Sequence, residues 1–535
     1  MERPQDWWRG AVIYQIYPRS FQDSNGDGVG DLAGIAQRLE HVAALGVDAV
    51  WISPFFPSPM ADFGYDVSDY RDVDPLFGTL ADFDALLARA HALGLKVIID
   101  LVLSHTSDQH PWFRESRQDT QNARKDWYVW ANPKPDGTPP NNWLSIFGGP
   151  AWEWDGGRRQ YYLHNFLASQ PDLNFHHPPV QEALLDIARF WLARGVDGFR
   201  LDTINFYFHD AQLRDNPALA PQERNDSIAP AVNPYNYQRH IYDKNRPENI
   251  EFLRKFRATL DPFGAIAMGE VGDAQRGLEI LGAYTAGDAL IQTCYAFEFL
   301  ARERPDAGRI KEVLHEVARL APTGWPTWAF SNHDVARHIS RWGLCDAAAR
   351  LYTILLICLR GTVCLYQGEE LGLPEAAVPF EALQDPYGKR FWPEFAGRDG
   401  SRTPMVWTAA PGAGFSTAKP WLPIPSDHLA LNVASQEAAN DSLLQHYRSA
   451  IALRHASPAI ARGTLGDLRA AGPVLSFTRR LDDEEIFCAF NIGPDAAPLA
   501  VPAGTWRDVG PAGDAAGAMA AGRLNPWQAA VLRRA

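Results

Sequence analysis

The sequence predicts an α/β protein: a (β/α)8 TIM barrel with an inserted irregular domain after its third strand and a C-terminal antiparallel β-domain. Three observations predict this fold class. Short apolar runs alternate with amphipathic helical patterns, which is typical of parallel β/α units. Eight such runs occur, and eight parallel strands close into a barrel. Residues 457–535 instead carry short strand patterns between Gly/Pro turns, at Val474–Arg479, Glu485–Asn491 and Trp527–Leu532.

The strands and the helices between them can be placed individually. The first two helical patterns end at Gly46 and Gly94, and glycine at such positions favours the left-handed conformation that closes a helix. A doubly wound sheet is the alternative fold, but no glycine-rich phosphate loop follows the first strand. The eight predicted strands are Ala11–Tyr17, Ala49–Ser53, Lys96–Leu103, Gly198–Asp202, Ala265–Val271, Thr293–Phe299, Trp325–Asp334 and Gly361–Gln367.

At 535 residues the chain is too long for one compact core, so we expect three domains. The barrel, domain A, is predicted at 1–105 and 175–456, and it includes an irregular lid segment at 371–421. The insert at 106–174, domain B, is rich in Trp, Asn, Pro and Gly, and a long irregular insert is usually functional. Domain C, a β-sandwich, is predicted at 457–535.

Composition narrows the possible partners. The net charge is −14 and no basic run occurs, which argues against nucleic acid and anionic membranes. The longest apolar run, Leu351–Leu359, is too short to span a bilayer. Aromatic residues make up 12% of the chain, which fits a protein that handles a stackable small molecule such as a sugar, although most of them must serve packing.

The cysteines and the N-terminal segment predict the compartment. The five cysteines are odd in number and lack metal-type spacing, so they are interpreted as free thiols in a reducing compartment. Met1–Gly10 has no signal-peptide shape. We therefore expect a cytoplasmic protein, either a monomer or a homodimer.

A polar loop after the first strand predicts a metal site. In Asp23–Asp31, oxygen-bearing residues alternate with others, a pattern that suits Ca²⁺ or Mg²⁺. The loop begins like an EF-hand, but its twelfth position is Gly34 instead of Glu, so Asp31 would close the site. A polar turn without an ion is the alternative. The predicted ligands of one ion, with Ca²⁺ as the first choice, are Asp23, Asn25, Asp27, Asp31 and the backbone carbonyl of Val29.

The fourth predicted strand ends in an Arg–Asp pair. Arg200 and Asp202 are two residues apart, so their side chains lie on the same side of the strand, and the guanidinium favours the ionised carboxylate. A structural salt bridge would explain this pair alone. In a barrel, however, chemistry takes place where the strands end. Asp202, Glu270 and Asp334 all lie at strand ends, near His105 and His333, and paired carboxylates beside aromatic walls indicate glycoside chemistry.

These motifs resemble those of the α-amylase superfamily, glycoside hydrolase family 13, over nearly the whole chain. Gln170-Pro-Asp-Leu-Asn174 resembles the signature of the oligo-1,6-glucosidase subgroup, which includes α-glucosidases. The other motifs, in order, are Gly46-Val-Asp-Ala-Val-Trp-Ile-Ser-Pro54, Asp100-Leu-Val-Leu-Ser-His105, Gly198-Phe-Arg-Leu-Asp202, Gly269-Glu270 and Asn332-His333-Asp334.

The resemblance implies a role for each matching residue. Asp202 would be the nucleophile, Glu270 the acid/base and Asp334 the transition-state stabiliser. The loop Asp23–Asp31 matches the family's metal site, which is structural. The resemblance implies that His105, Arg200 and His333 line the −1 subsite. It implies that Asp62, Tyr65 and Arg398 bind the terminal glucose, with Arg402 as the weaker candidate for the arginine. Phe147 and Phe166 would form stacking walls or, as the alternative, belong to the core.

The leading functional hypothesis is a retaining α-glucosidase that hydrolyses small oligosaccharides or aryl and alkyl glucosides. Thr203 predicts a preference for α-1,4 links, because in similar enzymes Val at this position accompanies α-1,6 activity. A transglucosylase or a trehalose-synthase-like isomerase is the nearest alternative, since it shares the covalent intermediate. The three carboxylates argue against an inactive binding homologue. A hydrolase that uses a metal at Asp23–Asp31 is the remaining alternative.

Overall fold

The computed structural model describes residues 6–511 and 515–535, and an eight-stranded parallel barrel lies at their centre. The strands are β1 Val12–Ile16, β2 Ala49–Ile52, β3 Lys96–Leu101, β4 Gly198–Leu201, β5 Ile266–Val271, β6 Thr293–Ala296, β7 Thr327–Ala329 and β8 Thr362–Tyr366. They follow the hydrogen-bonding order β7-β8-β1-β2-β3-β4-β5-β6. A parallel bridge between Cys294 and Pro326 closes the ring between β6 and β7. The barrel predicted from the sequence is confirmed.

All eight strands are shorter than predicted, and β6 and β7 lose three or more residues because turns replace the predicted strand ends. After β7, the side chain of Asn332 accepts hydrogen bonds from the backbone N–H groups of Asp334 and Val335, so the chain turns before Asp334. After β6, the segment Phe297–Phe299 forms a turn of 3-10 helix. Both changes bring side chains from the strand end to the rim of the barrel.

The barrel helices pack their apolar faces on the strands. Gly195 ends the helix before β4 with a φ of 108°, as its glycine predicts. The principal helices are Leu32–Ala44, Leu80–Ala92, Pro178–Arg194, Asn249–Leu260, Gly277–Tyr284, Ala307–Leu320, Asp346–Cys358 and Leu443–Ala456. The shorter helices are Pro111–Ser116, His338–Arg341, Pro386–Phe391, Ser426–Ala430, Val433–Ala438, Pro458–Arg462 and Ala515–Ala521.

The insert after β3 contains a small antiparallel sheet. Its strands lie in the order Trp130–Ala131, Gln160–Leu163, Trp152–Asp155. Trp143 and Trp152 stack beneath this sheet with ring centroids 5.9 Å apart, which gives the insert a core of its own. The insert therefore forms a packed wall beside the barrel mouth.

The C-terminal region forms an antiparallel sheet of five strands. In spatial order these are Thr464–Ala471, Val474–Leu481, Glu484–Asn491, Ala529–Arg534 and Trp506–Asp508. A second pair joins Ala497–Pro498 to Arg523–Leu524. A buried arginine of this region, Arg479, ties the sheet to the barrel by donating to the backbone carbonyl of Cys358 over 2.7 Å. On the barrel side, the buried Arg454 of helix Leu443–Ala456 donates to the carbonyl of Gly10 over 2.7 Å.

Candidate active site at the carboxyl ends of the barrel strands

A fully buried arginine on β4 connects three carboxylates. Arg200 Nη1 lies 3.0 Å from Asp100 Oδ1 on β3 and 2.5 Å from Asp202 Oδ1, and Arg200 Nη2 lies 2.7 Å from Glu270 Oε2 on β5. The hydroxyl of Tyr295 on β6 accepts from Nε and Nη2 and donates to Glu270 Oε1 over 3.0 Å. Four neighbouring strands thus place one charge network at one height. We call these five residues the Arg200 cluster.

The strand register explains why Asp202 faces Glu270. Arg200 is paired with Met268 and Leu201 with Gly269, so the next residues along the two chains, Asp202 and Glu270, follow at the same level. Neighbouring strands lie about 4.8 Å apart. Because one guanidinium contacts both carboxylates, the two groups lie close together.

Thr203 joins the same two carboxylates from the other side. Its backbone N–H donates to Glu270 Oε2 over 3.1 Å, and its hydroxyl donates to Asp202 Oδ2 over 3.1 Å. The φ of 41° at Thr203 lies in the left-handed region, which is uncommon for a β-branched residue. This turn directs the peptide N–H towards Glu270.

Burial and neighbouring charges give the carboxyl groups of this cluster different proton affinities. Burial raises the pKa of Glu270 to about 7. The positive charge of Arg200 acts to lower this pKa, and the negative charge of Asp202 acts to raise it further. Burial also raises the pKa of Asp202 to about 6, and Arg200 again opposes the rise. The pKa of Asp100 is raised to about 6 for the same reasons. A shared proton therefore resides preferentially on Glu270.

A second group of charges surrounds Arg398. Arg398 Nη2 lies 2.8 Å from Asp62 Oδ1 and 2.8 Å from Asp385 Oδ1, and Nη1 lies 3.1 Å from Asp334 Oδ1. Arg402 Nη2 also contacts Asp334 Oδ1, over 3.0 Å. We call these five residues the Arg398 cluster. Its two arginines serve three carboxylates.

The Arg398 cluster keeps two of its carboxylates ionised. Burial opposes ionisation of Asp385, but Arg398 and Arg402 outweigh it and lower the pKa to about 2. For Asp334 burial again opposes ionisation, but Arg398 and Arg402 outweigh it, and the pKa lies below its usual range. Burial raises the pKa of Asp62, and Arg398 works against that rise.

The predicted histidines are neutral and fix neighbouring groups. Burial lowers the pKa of His105 to about 4 and that of His333 well below its usual range. His333 stacks on Tyr65 with ring centroids 5.3 Å apart and an interplanar angle of 2°, and its Nε2 lies 2.6 Å from the Tyr65 hydroxyl. His333 Nδ1 lies 2.7 Å from Gln15 Nε2. His333 therefore orients Tyr65 from beneath.

The two clusters border one cavity of about 150 Å³. The structure brings ten of the predicted site residues to its wall, while Arg200 and His333 lie buried behind it. The ten are Asp62, Tyr65, His105, Phe147, Phe166, Asp202, Thr203, Glu270, Asp334 and Arg398. Arg398, not Arg402, reaches the cavity wall. Both phenylalanines face the cavity, and the guanidinium carbon of Arg398 lies 5.3 Å from the ring centroid of Phe147.

A family model agrees with this geometry. The model described as "Alpha amylase, catalytic domain" matches residues 15–463. The chain belongs to the α-amylase family. The resemblance noted from the sequence is therefore confirmed, and so is the fold class.

Individual relatives in the α-amylase family are also similar along most of their length. A "Probable alpha-glucosidase" of Rhizobium meliloti is 66% identical, covering 94% of this chain and 92% of the relative. An "Oligo-1,6-glucosidase" of Heyndrickxia coagulans is 37% identical, over 94% and 95% of the two chains. The crystal structure of an alpha-glucosyl transfer enzyme superposes with a TM-score of 0.94 at 53% identity and covers 99% of each chain.

Sequence reasoning missed several residues of this α-amylase-family site. Asp385 has no motif and lies in the irregular lid segment, where nothing in the sequence points to Arg398. Gln170 was noted only as part of a signature, yet its Nε2 donates to Asp62 Oδ2 over 3.1 Å and so joins the insert to the site. The outer wall of the cavity was missed as well; it includes Phe206, Ile228, Phe297, Val335 and Tyr387.

In the loop predicted to bind a metal, the carboxylates of Asp23 and Asp31 accept hydrogen bonds from neighbouring residues. Asp23 accepts from the backbone N–H groups of Asn25, Gly26 and Gly28, and Asp31 accepts from Ser24 and caps the following helix through Gly34 N. In residues 6–511 and 515–535, no group of three or more His, Cys, Asp or Glu side chains gathers in a way that could hold a metal ion. The binding of an ion by this loop stays a prediction.

No helix within the described ranges is long and apolar enough to cross a membrane.

Proposed function

We propose that the protein is a retaining α-glucosidase that removes single glucosyl units from the non-reducing end of short α-glucosides. The observation that carries this proposal is the Arg200 cluster, in which one guanidinium holds Asp202 and Glu270 together while the higher pKa, about 7, belongs to Glu270. The name of the Rhizobium relative supports the same activity.

In the first step Asp202 attacks the anomeric carbon of the bound glucosyl unit. Asp202 Oδ1 is held by Arg200. Among the described residues, the only hydrogen bond that Asp202 Oδ2 accepts comes from the Thr203 hydroxyl, so Oδ2 is the attacking oxygen. As the new C–O bond forms, the glycosidic C–O bond breaks and Glu270 donates its proton to the departing oxygen. The product of this step is a glucosyl ester of Asp202.

In the second step Glu270, now ionised, removes a proton from water. The oxygen of that water attacks the anomeric carbon, and the ester bond to Asp202 breaks. Two inversions give net retention. Carboxyl groups about 5–5.5 Å apart suit this route, whereas inverting enzymes need about 6.5–9.5 Å to hold a water between them. The shared contact with Arg200 and the strand register favour the short separation.

The Arg398 cluster closes the far end of the cavity and binds the glucosyl hydroxyls in this proposal. Asp62 and Asp334 are held by Arg398 on the cavity wall, and buried charge pairs of this kind bind hydroxyl groups in a fixed orientation. In this proposal a chain enters by its terminal residue, whose glucosyl unit occupies the cavity of about 150 Å³. Thr203 beside Asp202 supports a preference for α-1,4 links.

Transfer of the glucosyl unit to an organic acceptor is the second candidate function. The outer wall of the cavity carries the apolar side chains of Phe206, Ile228 and Phe297, which favour an organic molecule over water. The similar alpha-glucosyl transfer enzyme supports this reading. An isomerase would use the same covalent intermediate.

A product time course on maltose, isomaltose, sucrose and trehalose tests these proposals. We expect maltose to be cleaved fastest, and proton NMR of fresh product to show α-glucose first. β-Glucose appearing first would mean inversion, and faster cleavage of isomaltose would refute the α-1,4 preference. Glucosides accumulating at the expense of free glucose would favour transfer.

Further proposals concern the partners of the enzyme, its location and oligomeric state, and its bound metal ion. The partners are small glucosides, and the protein is a cytoplasmic monomer or homodimer, which the negative charge and the free cysteines support. The loop Asp23–Asp31 binds one structural Ca²⁺, or Mg²⁺ in its place, through the interleaved oxygens of its side chains.

A further inference from the structure

A buried asparagine joins the loops that follow β4 and β5. Asn205 lies three residues after Asp202 and is 1% exposed. Its Oδ1 accepts from the backbone N–H of Gly272 over 3.1 Å, and its Nδ2 donates to the carbonyl of Gly272 over 3.1 Å. Gly272 lies two residues after Glu270. One side chain therefore satisfies both backbone groups of a residue beside the proposed acid/base.

Further buried groups support this contact. Lys244, which is 2% exposed, donates to the same Gly272 carbonyl over 2.9 Å. Asn245 accepts from Asn205 Nδ2 over 2.8 Å and donates to Asp273 Oδ2 over 2.6 Å. The loop after β5 is thus held at both Gly272 and Asp273. A buried polar network in which the members satisfy one another is rigid.

The contact matters because the two proposed catalytic carboxylates stand on these loops. Thr203 N–H reaches Glu270 Oε2 at 3.1 Å, and the turn that directs it continues directly into Asn205. Asn205 touches neither carboxylate and does not border the cavity. Any movement between the two loops would change the distance between Asp202 and Glu270.

We propose that Asn205 is a positioning residue that sets the spacing between Asp202 and Glu270 by binding the backbone of Gly272. The proposal rests on the proposed function and names a determinant of its rate. A misplacement of about 1 Å can cost about 10²-fold in rate. Proton donation by Glu270 should suffer most, because the loop that Asn205 holds follows Glu270 directly.

The test compares Asn205→Ala with Asn491→Ala. Asn491 is also fully buried and donates to two backbone carbonyls, at 2.7 and 2.8 Å, but it lies in the C-terminal sheet. We expect Asn205→Ala to lower kcat on maltose by about 30-fold, with KM changed by less than about threefold. The loss should be smaller on nitrophenyl α-glucoside, whose leaving group needs little protonation. Asn491→Ala should lower Tm similarly and leave kcat within about twofold.

A second variant, Asn205→Asp, tests the proposal even if Asn205→Ala does not fold. Asn205→Asp keeps an acceptor for Gly272 N–H and loses the donor to its carbonyl, so its kcat on maltose should fall between those of the wild type and Asn205→Ala. Equal kcat values for Asn205→Ala and Asn491→Ala would overturn the proposal, as would a wild-type ratio of maltose to nitrophenyl glucoside activity in Asn205→Asp. A wild-type protein that releases no glucose from any α-glucoside would instead overturn the proposed function.

Discussion

The Arg200 and Arg398 clusters border the same cavity and differ in the ratio of arginines to carboxylates. In the Arg200 cluster one guanidinium serves Asp100, Asp202 and Glu270, and the pKa of each of these is raised, to between about 6 and about 7. In the Arg398 cluster two guanidiniums serve three carboxylates, and those of Asp334 and Asp385 have lowered pKa values. The second guanidinium of the Arg398 cluster helps to keep Asp334 and Asp385 ionised, whereas burial raises the pKa of Asp62 in the same cluster.

The difference assigns the two clusters different tasks in the proposed mechanism. A carboxyl group with a pKa of about 7 can donate a proton and later take one back, as Glu270 must. A carboxylate that stays ionised at every working pH is suited to accept hydroxyl hydrogen bonds, as proposed for Asp334. In the proposed mechanism the Arg200 cluster therefore carries out the proton transfer, and the Arg398 cluster binds the substrate.

The largest effect is expected from Asp202→Asn. The amide cannot form the glucosyl ester, so kcat should fall by about 10⁵-fold. The side chain keeps its size and can still accept from Arg200, so circular dichroism and Tm should stay near those of the wild type. Residual activity above about 1% of the wild type would show that another group attacks the anomeric carbon.

The next largest effect is expected from Glu270→Gln. This variant cannot donate a proton, so kcat on maltose should fall by about 10³-fold. Nitrophenyl α-glucoside should lose much less in its first step, because its leaving group departs without protonation. Mass spectrometry should then find the glucosyl group trapped on Asp202. Equal losses on both substrates would contradict the assignment of the acid.

Arg398→Lys tests whether the Arg398 cluster binds the substrate. Lysine retains the charge but cannot reach Asp62, Asp334 and Asp385 together, so kcat/KM should fall by about 10²-fold, largely through KM. Arg454→Lys is the control, since Arg454 is a buried arginine that binds backbone carbonyls and does not border the cavity. It should lower Tm and leave KM unchanged. An unchanged KM in Arg398→Lys would mean that the cluster does not bind substrate.

The pH dependence of kcat/KM sharpens the comparison. Below about pH 6 Asp202 gains a proton and can no longer attack, and above about pH 7 Glu270 loses the proton that it must donate. Activity should therefore fall by up to about tenfold per pH unit on each side of a narrow optimum. In Glu270→Gln assayed on nitrophenyl α-glucoside the upper limb should disappear. A wild-type profile that is flat from about pH 5 to about pH 9 would contradict these pKa assignments.

The smallest effect is expected from a chelator. The loop Asp23–Asp31 is a third acidic region, and no ion pair with an arginine is found for its carboxylates among the described residues, so a metal ion would supply the missing positive charge. EDTA should lower Tm by a few degrees and leave kcat unchanged, and metal analysis should find one Ca²⁺ per chain. Protein that holds no ion and keeps its Tm would refute the site. A loss of kcat without a loss of Tm would favour a catalytic metal.

Local pattern was enough to predict the barrel and the three central carboxylates. Each strand is an apolar run, and Asp202, Glu270 and Asp334 follow such runs within motifs, so sequence position alone places them at the mouth. The edge strand Thr464–Ala471 was missed because only one side of it is covered and it has no apolar run. The strand predicted at Trp527 begins two residues later, at Ala529, because Trp527 adopts a φ of 54° in a turn.

The supporting contacts of the site could not be predicted, because they join segments that are distant in the chain and lack periodicity. Asp385 binds Arg398 from within an irregular segment, and Gln170 reaches Asp62 across 108 positions. Asn205 gives no signal of its own, since its partner is the backbone of Gly272 and backbone groups leave no mark on a sequence.

The proposed binding of the terminal glucosyl unit also determines how the enzyme would respond to long substrates. When Asp62 and Arg398 hold that unit in the cavity of about 150 Å³, as proposed, every productive encounter consumes one chain end and creates the next. The rate on a polymer should then follow the number of free ends per gram and not the mass of carbohydrate. A highly branched glucan would be shortened at its many outer tips, while an equal weight of a long linear chain would hardly be touched.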